Sequence, residues 1–444
     1  MRLDYLKKLV ASGEFTRALE IASEIETHDR YFFYEKAKAY LGLRNYRAAV
    51  SEIDSVLLLK PDWLGAHSIK ISALIAEKDE AGVGDSLRRM IADSVVVSDR
   101  VDVFKSLFNQ ILDSELEKKF YTLSASLEYY RYMCGEDNLY YFFSGVVDSN
   151  LGYLESAAKK FGLINGDNIG ELGRHATGAL SFKYGWELDS VAHALSGYKQ
   201  KIQLLNHTLK LPVGSESVVF AACDSKYFDM FGDVLISSIA GKLEKKVCHV
   251  HVVNPTDAVF EKASRFDQLM DNFNFSYEFS GFTSSIYYAV ARFVALEQIL
   301  ELYGLDVLVC DVDAAFLSNY SLDEILSTRD IVIKADDKCS LHTYPWRGLA
   351  AGFFAVRNGA AAVRFVRALK SYVMHFMLDS KYDKIWYFDQ TALFCLINYF
   401  SSGKDEVSVG FVYGETSRVI VYPDAKKETK EEFASRLGVL SLLS

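Results

Sequence analysis

Val307-Leu308-Val309-Cys310-Asp311-Val312-Asp313-Ala314-Ala315-Phe316 is the stretch on which the reading of this chain turns. Four consecutive apolar residues fit a strand buried on both faces, and two acids arrive where that run ends. In open parallel sheets, ligands bind beyond the carboxyl ends of the strands, so a D-x-D at this point is a candidate site. Two carboxylates one residue apart can both reach a divalent ion where the backbone turns. Hard oxygen ligands with open positions suit Mn²⁺ or Mg²⁺ chelated by a diphosphate, which makes Asp311 and Asp313 the candidate metal ligands. The bare motif is weak evidence, because acidic pairs at loop starts are usually solvated.

Working outward, apolar runs alternate with helical periodicity. Strands are predicted at 218–222, 247–253, near 275–279, 331–334 and 352–356. Helices are predicted at 228–243, 255–272, 287–303, 360–377 and 390–399. This alternation predicts an α/β fold with a mainly parallel sheet. A phosphatase of the haloacid-dehalogenase type also carries D-x-D after an apolar strand, but there the pair follows the first strand, and here two or three strands come earlier.

The first part of the chain is helical and repetitive. Glu14-Phe15-Thr16-Arg17-Ala18-Leu19 aligns with Asn45-Tyr46-Arg47-Ala48-Ala49-Val50, an aromatic followed three residues later by Ala. Phe33, Ala37, Tyr40, Ala49, Ile53 and Pro61 fit the tetratricopeptide pattern of ~34 residues, with small side chains where antiparallel helices cross. The likeness is clear over 31–64. Gly145, Gly152, Ala157 and Phe161 suggest another close helix pair at 139–163. The expected organisation is a tetratricopeptide-like repeat domain over 1–164, a helical and loop connection over 165–215 that ends in Leu211-Pro212-Val213-Gly214-Ser215, and the α/β domain over 216–444. Such repeats serve a protein partner, an acceptor, self-association or plain packing.

The 49 Lys and Arg stand against 59 Asp and Glu, a net charge of −10, which disfavours nucleic acid as a partner. The 27 Tyr and 30 Phe can fill cores and also suit sugar-stacking clefts. The cysteines at 134, 223, 248, 310, 339 and 395 form no C-x-x-C, so neither a zinc ribbon nor a disulfide scaffold is suggested, and they read as buried thiols in a reducing compartment. The first residues enter an amphipathic helix without the apolar core of a signal peptide. No uncharged apolar stretch reaches the ~20 residues of a spanning helix. The expectation is a cytoplasmic protein, with peripheral contact at the inner membrane face left open.

Four stretches over about 217–400 resemble the retaining GT-A glycosyltransferases related to glycogenin and the bacterial lipopolysaccharide galactosyltransferases. They are Val218 to Tyr227; Tyr287-Tyr288-Ala289-Val290-Ala291-Arg292-Phe293; Val307 to Phe316; and Leu349 to Val356 followed by Phe388-Asp389-Gln390. The resemblance implies that Ala222, Asp224 and Tyr227 face the base and ribose of a nucleotide sugar. It places Arg292 near the donor phosphate or sugar, Asp311 and Val312 at the nucleotide, and Asp389 and Gln390 beside the transferred sugar. Two departures stand out. Ala350 or Ala351 occupies the place of the family's Asn, and the late His that gives a third metal ligand is missing, with its H-x-x-G-x-x-K-P-W segment. That puts phosphate clamping by a C-terminal segment in doubt.

Each candidate also has a plain structural reading. Asp224 is suited to cap the next helix, Asp389 to cap 390–399, and Arg292 to pair with Glu297 or another surface acid. His342, Tyr344, Trp346 and Arg347 form a loop that would close over a sugar or simply pack. Asp336 and Asp337 read as solvent-exposed. The function expected is metal-dependent transfer of a hexose, from a UDP-linked or other nucleotide diphosphate donor, to a hydroxyl of a glycan or protein, with retention implied by the resemblance. The alternative is a catalytically degenerate domain on a repeat scaffold that acts in binding or assembly.

Overall fold

The computed structural model describes residues 2–25, 29–93, 100–193, 202–335, 344–378, 385–402, 407–414, 419–423 and 429–437. Two compact units are present: Met1–Ala176 with Ser340–Pro345, and Thr177–Cys339 with Trp346–Ser444.

The first unit is helical: α1 Arg2–Ala11, α2 Phe15–Ser23, α3 Arg30–Gly42, α4 Tyr46–Leu59, α5 Leu64–Ala76, α6 Glu80–Asp93, α7 Arg100–Leu112, α8 Lys119–Cys134, α9 Asn138–Asn150 and α10 Leu154–Gly162. Polar caps set the starts: Asn45 accepts from the Ala48 amide at 3.3 Å and Asp137 from the Tyr140 amide at 2.9 Å. From α1 to α6 and from α7 to α10, helices adjacent in sequence pack on one another, while α6 packs on α8 and α5 on α7. The small side chains expected at crossings are buried there: Ala37 and Ile53 share a core with Val56, Leu57 and Ala66. At two crossings only hydrogen fits. A Cβ on Gly42 would meet the Phe15 ring at 2.4 Å, and one on Gly145 the Phe161 ring at 2.5 Å.

The second unit contains α11 Trp186–His193, β1 Gln203–Leu204, β2 Ser217–Asp224, α12 Ser225–Lys242, β3 Lys246–Val253, α13 Asp257–Leu269, β4 Phe273–Glu278, α14 Ser285–Tyr303 and β5 Asp306–Cys310. It continues with β6 Ala315–Phe316, α15 Leu322–Leu326, β7 Ile331–Ala335, β8 Leu349–Val356, α16 Ala360–Met377, α17 Phe388–Ser402, β9 Val409–Val412, β10 Ile420–Val421 and α18 Lys430–Leu437. Among the described residues the main sheet has the order β1-β4-β3-β2-β5-β8-β7-β9. Strands β4, β3, β2 and β5 run parallel, as do β7 and β9; β8 is antiparallel to both its neighbours. β6 and β10 form a separate antiparallel pair.

Why the sheet is buried on both faces follows from strand alternation. Val219, Ala221, Cys248, Val250, Leu308 and Cys310 share a core with Phe228 and Leu235 of α12 and Phe266 of α13. On the other face His249 of β3 meets Phe220 of β2 and Tyr303 of α14. The α/β architecture expected from the apolar runs is therefore present. The antiparallel sense of β8 is not visible in such runs, since a strand buried on both faces reads the same in either direction. No helix among the described residues is long and apolar enough to cross a membrane. Of the cysteines described, Cys223, Cys248, Cys310 and Cys395 are buried and Cys134 is partly buried, and none of the five is in a disulfide.

Candidate functional site

A cleft of about 530 Å³ opens beyond the carboxyl ends of β2 and β5, wholly within the second unit. β2 outruns β5: Ala221 pairs with Cys310, the last residue of β5, and β2 continues to Asp224. The chain therefore leaves β5 at Asp311 beside a strand that is still extending, and the two acidic segments line one hollow.

Asp224 caps α12, its carboxylate accepting from the Tyr227 amide at 2.8 Å, and it lines the cleft as well. The capping and ligand-facing readings coincide. Ala222 is buried in the cleft wall and Tyr227, 47 % exposed, stands at the mouth.

Arg292 lies on α14, a helix started by the Ser284 cap and ended by Gly304 in the left-handed region. It is only 4 % exposed. Its guanidinium donates to an Asp311 carboxylate oxygen and to Asp389 Oδ2, the latter at 2.9 Å. Burial opposes its charge, and Asp311 and Asp389 more than offset that, holding it protonated above its usual range. The alternative pairing of Arg292 with Glu297 is not found: Glu297 takes Arg367 at 2.5 Å and Lys370 at 2.6 Å. Arg292 faces the cleft and Glu297, five positions on, does not, because that interval carries a side chain around the helix to a different face.

Asp313 is partly buried beside Asp311, and burial followed by the Asp311 charge pushes its carboxyl up to about 7. Burial also raises Asp389, with Arg292 partly counteracting the rise and Asp311 adding to it. Asp389 does not cap a helix beginning at 390. The helix starts at Phe388, and Asp389 sits in its first turn with one oxygen on its neighbour's amide, Gln390 N, at 2.8 Å and the other on Arg292. Gln390 lines the cleft, and its buried Oε1 has no hydrogen-bond partner among the described residues.

The far wall comes from β8. Pairing with β7 passes from Ile333–Phe354 to Lys334–Ala350, a bulge that sets Gly352 against the D-x-D. A Cβ on Gly352 would lie 2.2 Å from Asp311 Oδ2, so only glycine leaves room for that carboxylate. Tyr422, just after β10, donates to the Gly352 carbonyl at 2.6 Å. Lys334, Tyr422, Trp386 and Tyr387 line the cleft and were not among the candidates read from sequence. Lys334 had a signal, a lone cation ending the apolar run Ile331-Val332-Ile333, and so did Gly352, a glycine inside a strand. Tyr422 had none, since its place depends on a distant segment.

Of the two readings of the loop around Trp346, closing over a sugar or simply packing, its described residues fit packing. Trp346 is fully buried, with Gly178 against its indole at a distance a Cβ would close to 2.8 Å, and Tyr344 donates to Asn109 at 2.6 Å within the first unit. Neither lines the cleft, nor does Arg347. His342, Asp336 and Asp337 lie outside the described residues.

The donor set suits a hard dication. Two carboxylates adjoin, one is pushed up by burial and then by its neighbour's charge, and Gly352 leaves room for the Asp311 carboxylate. Among the described residues no three His, Cys, Asp or Glu side chains gather as a ready-made cage, so further ligands would come from substrate and water.

No family profile matches the chain, and no curated protein matches it. Solved structures similar to part of it include the bifunctional glycosyltransferase WbbM in its apo form, at 14 % identity over 46 % of this chain and 40 % of that one, TM-score 0.31. Mouse xyloside xylosyltransferase 1 in its apo form is similar at 14 % identity over 45 % of this chain and 84 % of that one, TM-score 0.28. The chain thus spans less than half the length of WbbM that it is compared with. Both likenesses are of partial backbone, and the site is read from this chain's own residues.

Proposed function

We propose that the second unit is a metal-dependent glycosyltransferase of the GT-A type, moving a hexose from a nucleotide diphosphate donor, UDP-linked by resemblance, to a hydroxyl acceptor. The observation that carries this reading is the convergence of Asp311 and Asp313 just after β5, Arg292 from α14, and Asp389 and Gln390 from α17 in one cleft beyond the parallel strands. Mn²⁺ or Mg²⁺ on Asp311 and Asp313 would supply Lewis-acid relief of charge on the departing diphosphate.

The chain's own residues have definite parts. Asp224 and Tyr227 would receive ribose and base at the cleft mouth. Arg292, held by Asp311 on one side and Asp389 on the other, locks the metal-binding and sugar-binding segments in register. Gln390 Oε1 is a buried acceptor lacking a donor, which suits a sugar hydroxyl, because an unpaired buried oxygen costs about 1–3 kcal/mol. In the transfer the bond from the sugar carbon to the diphosphate oxygen breaks, its electron pair leaving with the diphosphate. The acceptor oxygen bonds that carbon and gives up its proton to the departing diphosphate. Retention of configuration follows the resemblance. The helical unit, tetratricopeptide-like by pattern, would bind acceptor, partner protein or a second copy.

The test is nucleotide release from UDP-, GDP- and CDP-sugars with Mn²⁺ or EDTA, beside UDP binding. Hydrolysis of one donor, lost with EDTA, is expected. Absence of both turnover and Mn²⁺-dependent UDP binding would leave the repeat scaffold with a degenerate domain as the better account.

A further inference from the structure

The charges of the cleft are unbalanced in a way that singles out one residue. Asp224, Asp311, Asp313 and Asp389 line it, with Arg292 and Lys334 as the cations. Arg292 is spent on Asp311 and Asp389. A nucleoside diphosphate adds negative charge to this surplus, and a dication on the D-x-D offsets only part of it. Lys334 is the lining cation that forms no ion pair with any described residue.

Its setting is built. Ile331, Val332 and Ile333 before it are fully or nearly fully buried, so the strand delivers a charge at the end of an apolar run. The β8 bulge pairs Lys334 with Ala350, two residues from the Gly352 that faces Asp311. The ammonium lies 5.8 Å from the centre of the Tyr422 ring, within reach of a cation–π contact. Tyr422 is itself pinned through its hydroxyl to Gly352. The contact thus holds the ammonium of a partly buried lysine on the wall of the cleft that Asp311 and Asp313 also line, while leaving its donors unspent on any described carboxylate. A lysine suits phosphate as a point charge.

We propose that Lys334, seated on Tyr422, binds the diphosphate of the donor and steadies it as leaving group. This rests on the glycosyltransferase reading above.

Titration calorimetry with UDP and with uridine, both with Mn²⁺, separates the possibilities for the full chain and its Lys334→Met and Lys334→Arg variants. Lys334→Met should weaken UDP about 10-fold or more, as loss of a charge-assisted hydrogen bond implies. Uridine affinity and melting temperature should stay unchanged, and Lys334→Arg should recover most of the loss. Equal UDP affinity in wild type and Lys334→Met would overturn the assignment while leaving the transferase reading intact. An equal loss for UDP and uridine would mark a structural role and also overturn it. Failure of the wild type to bind UDP, GDP or CDP with Mn²⁺ would remove both.

Discussion

Helix α14 touches two buried polar clusters, and they differ in kind. Toward its end, Tyr303 meets His249, whose other nitrogen lies 2.7 Å from Ser276 Oγ; His251 lies 2.9 Å from the same oxygen. At the start of the helix Tyr287 donates to Glu278 at 2.8 Å, and Glu278 stands 3.9 Å from His251. This chain of groups is sealed between sheet and helix, with one formal negative charge when both imidazoles are neutral. In the middle of the same helix, Arg292 meets Asp311 and Asp389, with Asp313 close by, in a cleft open to solvent. Buried polarity alone therefore does not mark a site. What sets the cleft apart is several carboxylates beside open space that a ligand could fill, since the sealed cluster too holds an unpartnered buried atom, His251 Nε2.

Four measurements bear on that contrast. The largest effect is expected for Asp313→Asn. Donor turnover should fall about 10³-fold, as several kcal/mol of charge stabilisation disappear. The same variant should melt higher than wild type in metal-free buffer at pH 8. The folded carboxyl is raised to about 7, so the folded state binds the extra proton and loses stability as pH climbs from about 4 through 7. A lower melting temperature for the variant would show that the pair of acids is a structural element like the histidine cluster.

Next, Arg292→Met should cost about 3–5 kcal/mol in denaturant unfolding, since two partly buried carboxylates lose their shared cation. If Mn²⁺ restores much of that stability, the cluster is a ligand site. If it restores none, Arg292 acts as packing alone.

The histidine cluster should show the opposite pH slope. Burial first, and His251 second, push His249 down to about 3. Its contribution is complete above about pH 6.5 and drains away as pH falls toward 3, at up to ~1.4 kcal/mol per pH unit. His249→Gln should flatten the wild-type loss of stability between pH 6.5 and 5, read by urea midpoints at each pH. An unchanged slope would mean that His249 takes up its proton in the fold as readily as in the unfolded chain.

The smallest effect separates a cap from a contact. Asp224→Ala should cost about 1 kcal/mol of stability, whereas Asp224→Ser keeps the capping oxygen and should stay within about 0.5 kcal/mol of wild type. Loss of UDP affinity in both variants would show that the carboxylate serves the nucleotide beyond its cap.

The elements of this molecule were legible along the chain. Apolar runs at 218–222, 247–253 and 307–310 lie inside β2, β3 and β5, and the periodic stretch 360–377 is α16, because burial on a regular backbone leaves a local record in residue type. The D-x-D was legible for the same reason: a strand must end before acids can follow it. Asp224 as a cap, and Gly352 as a glycine in a strand, also left local marks.

Tertiary structure alone decided the rest. Nothing near Arg292 in sequence announces that its partners are Asp311 and Asp389 and not Glu297, since the three meet only when α14, β5 and α17 pack around one cleft. The antiparallel β8, its bulge, and the meeting of Lys334 with Tyr422 likewise come from strand order and register. Residue type records whether a position is buried. Which charge finds which depends on long-range packing, and the chain specifies that only when folded.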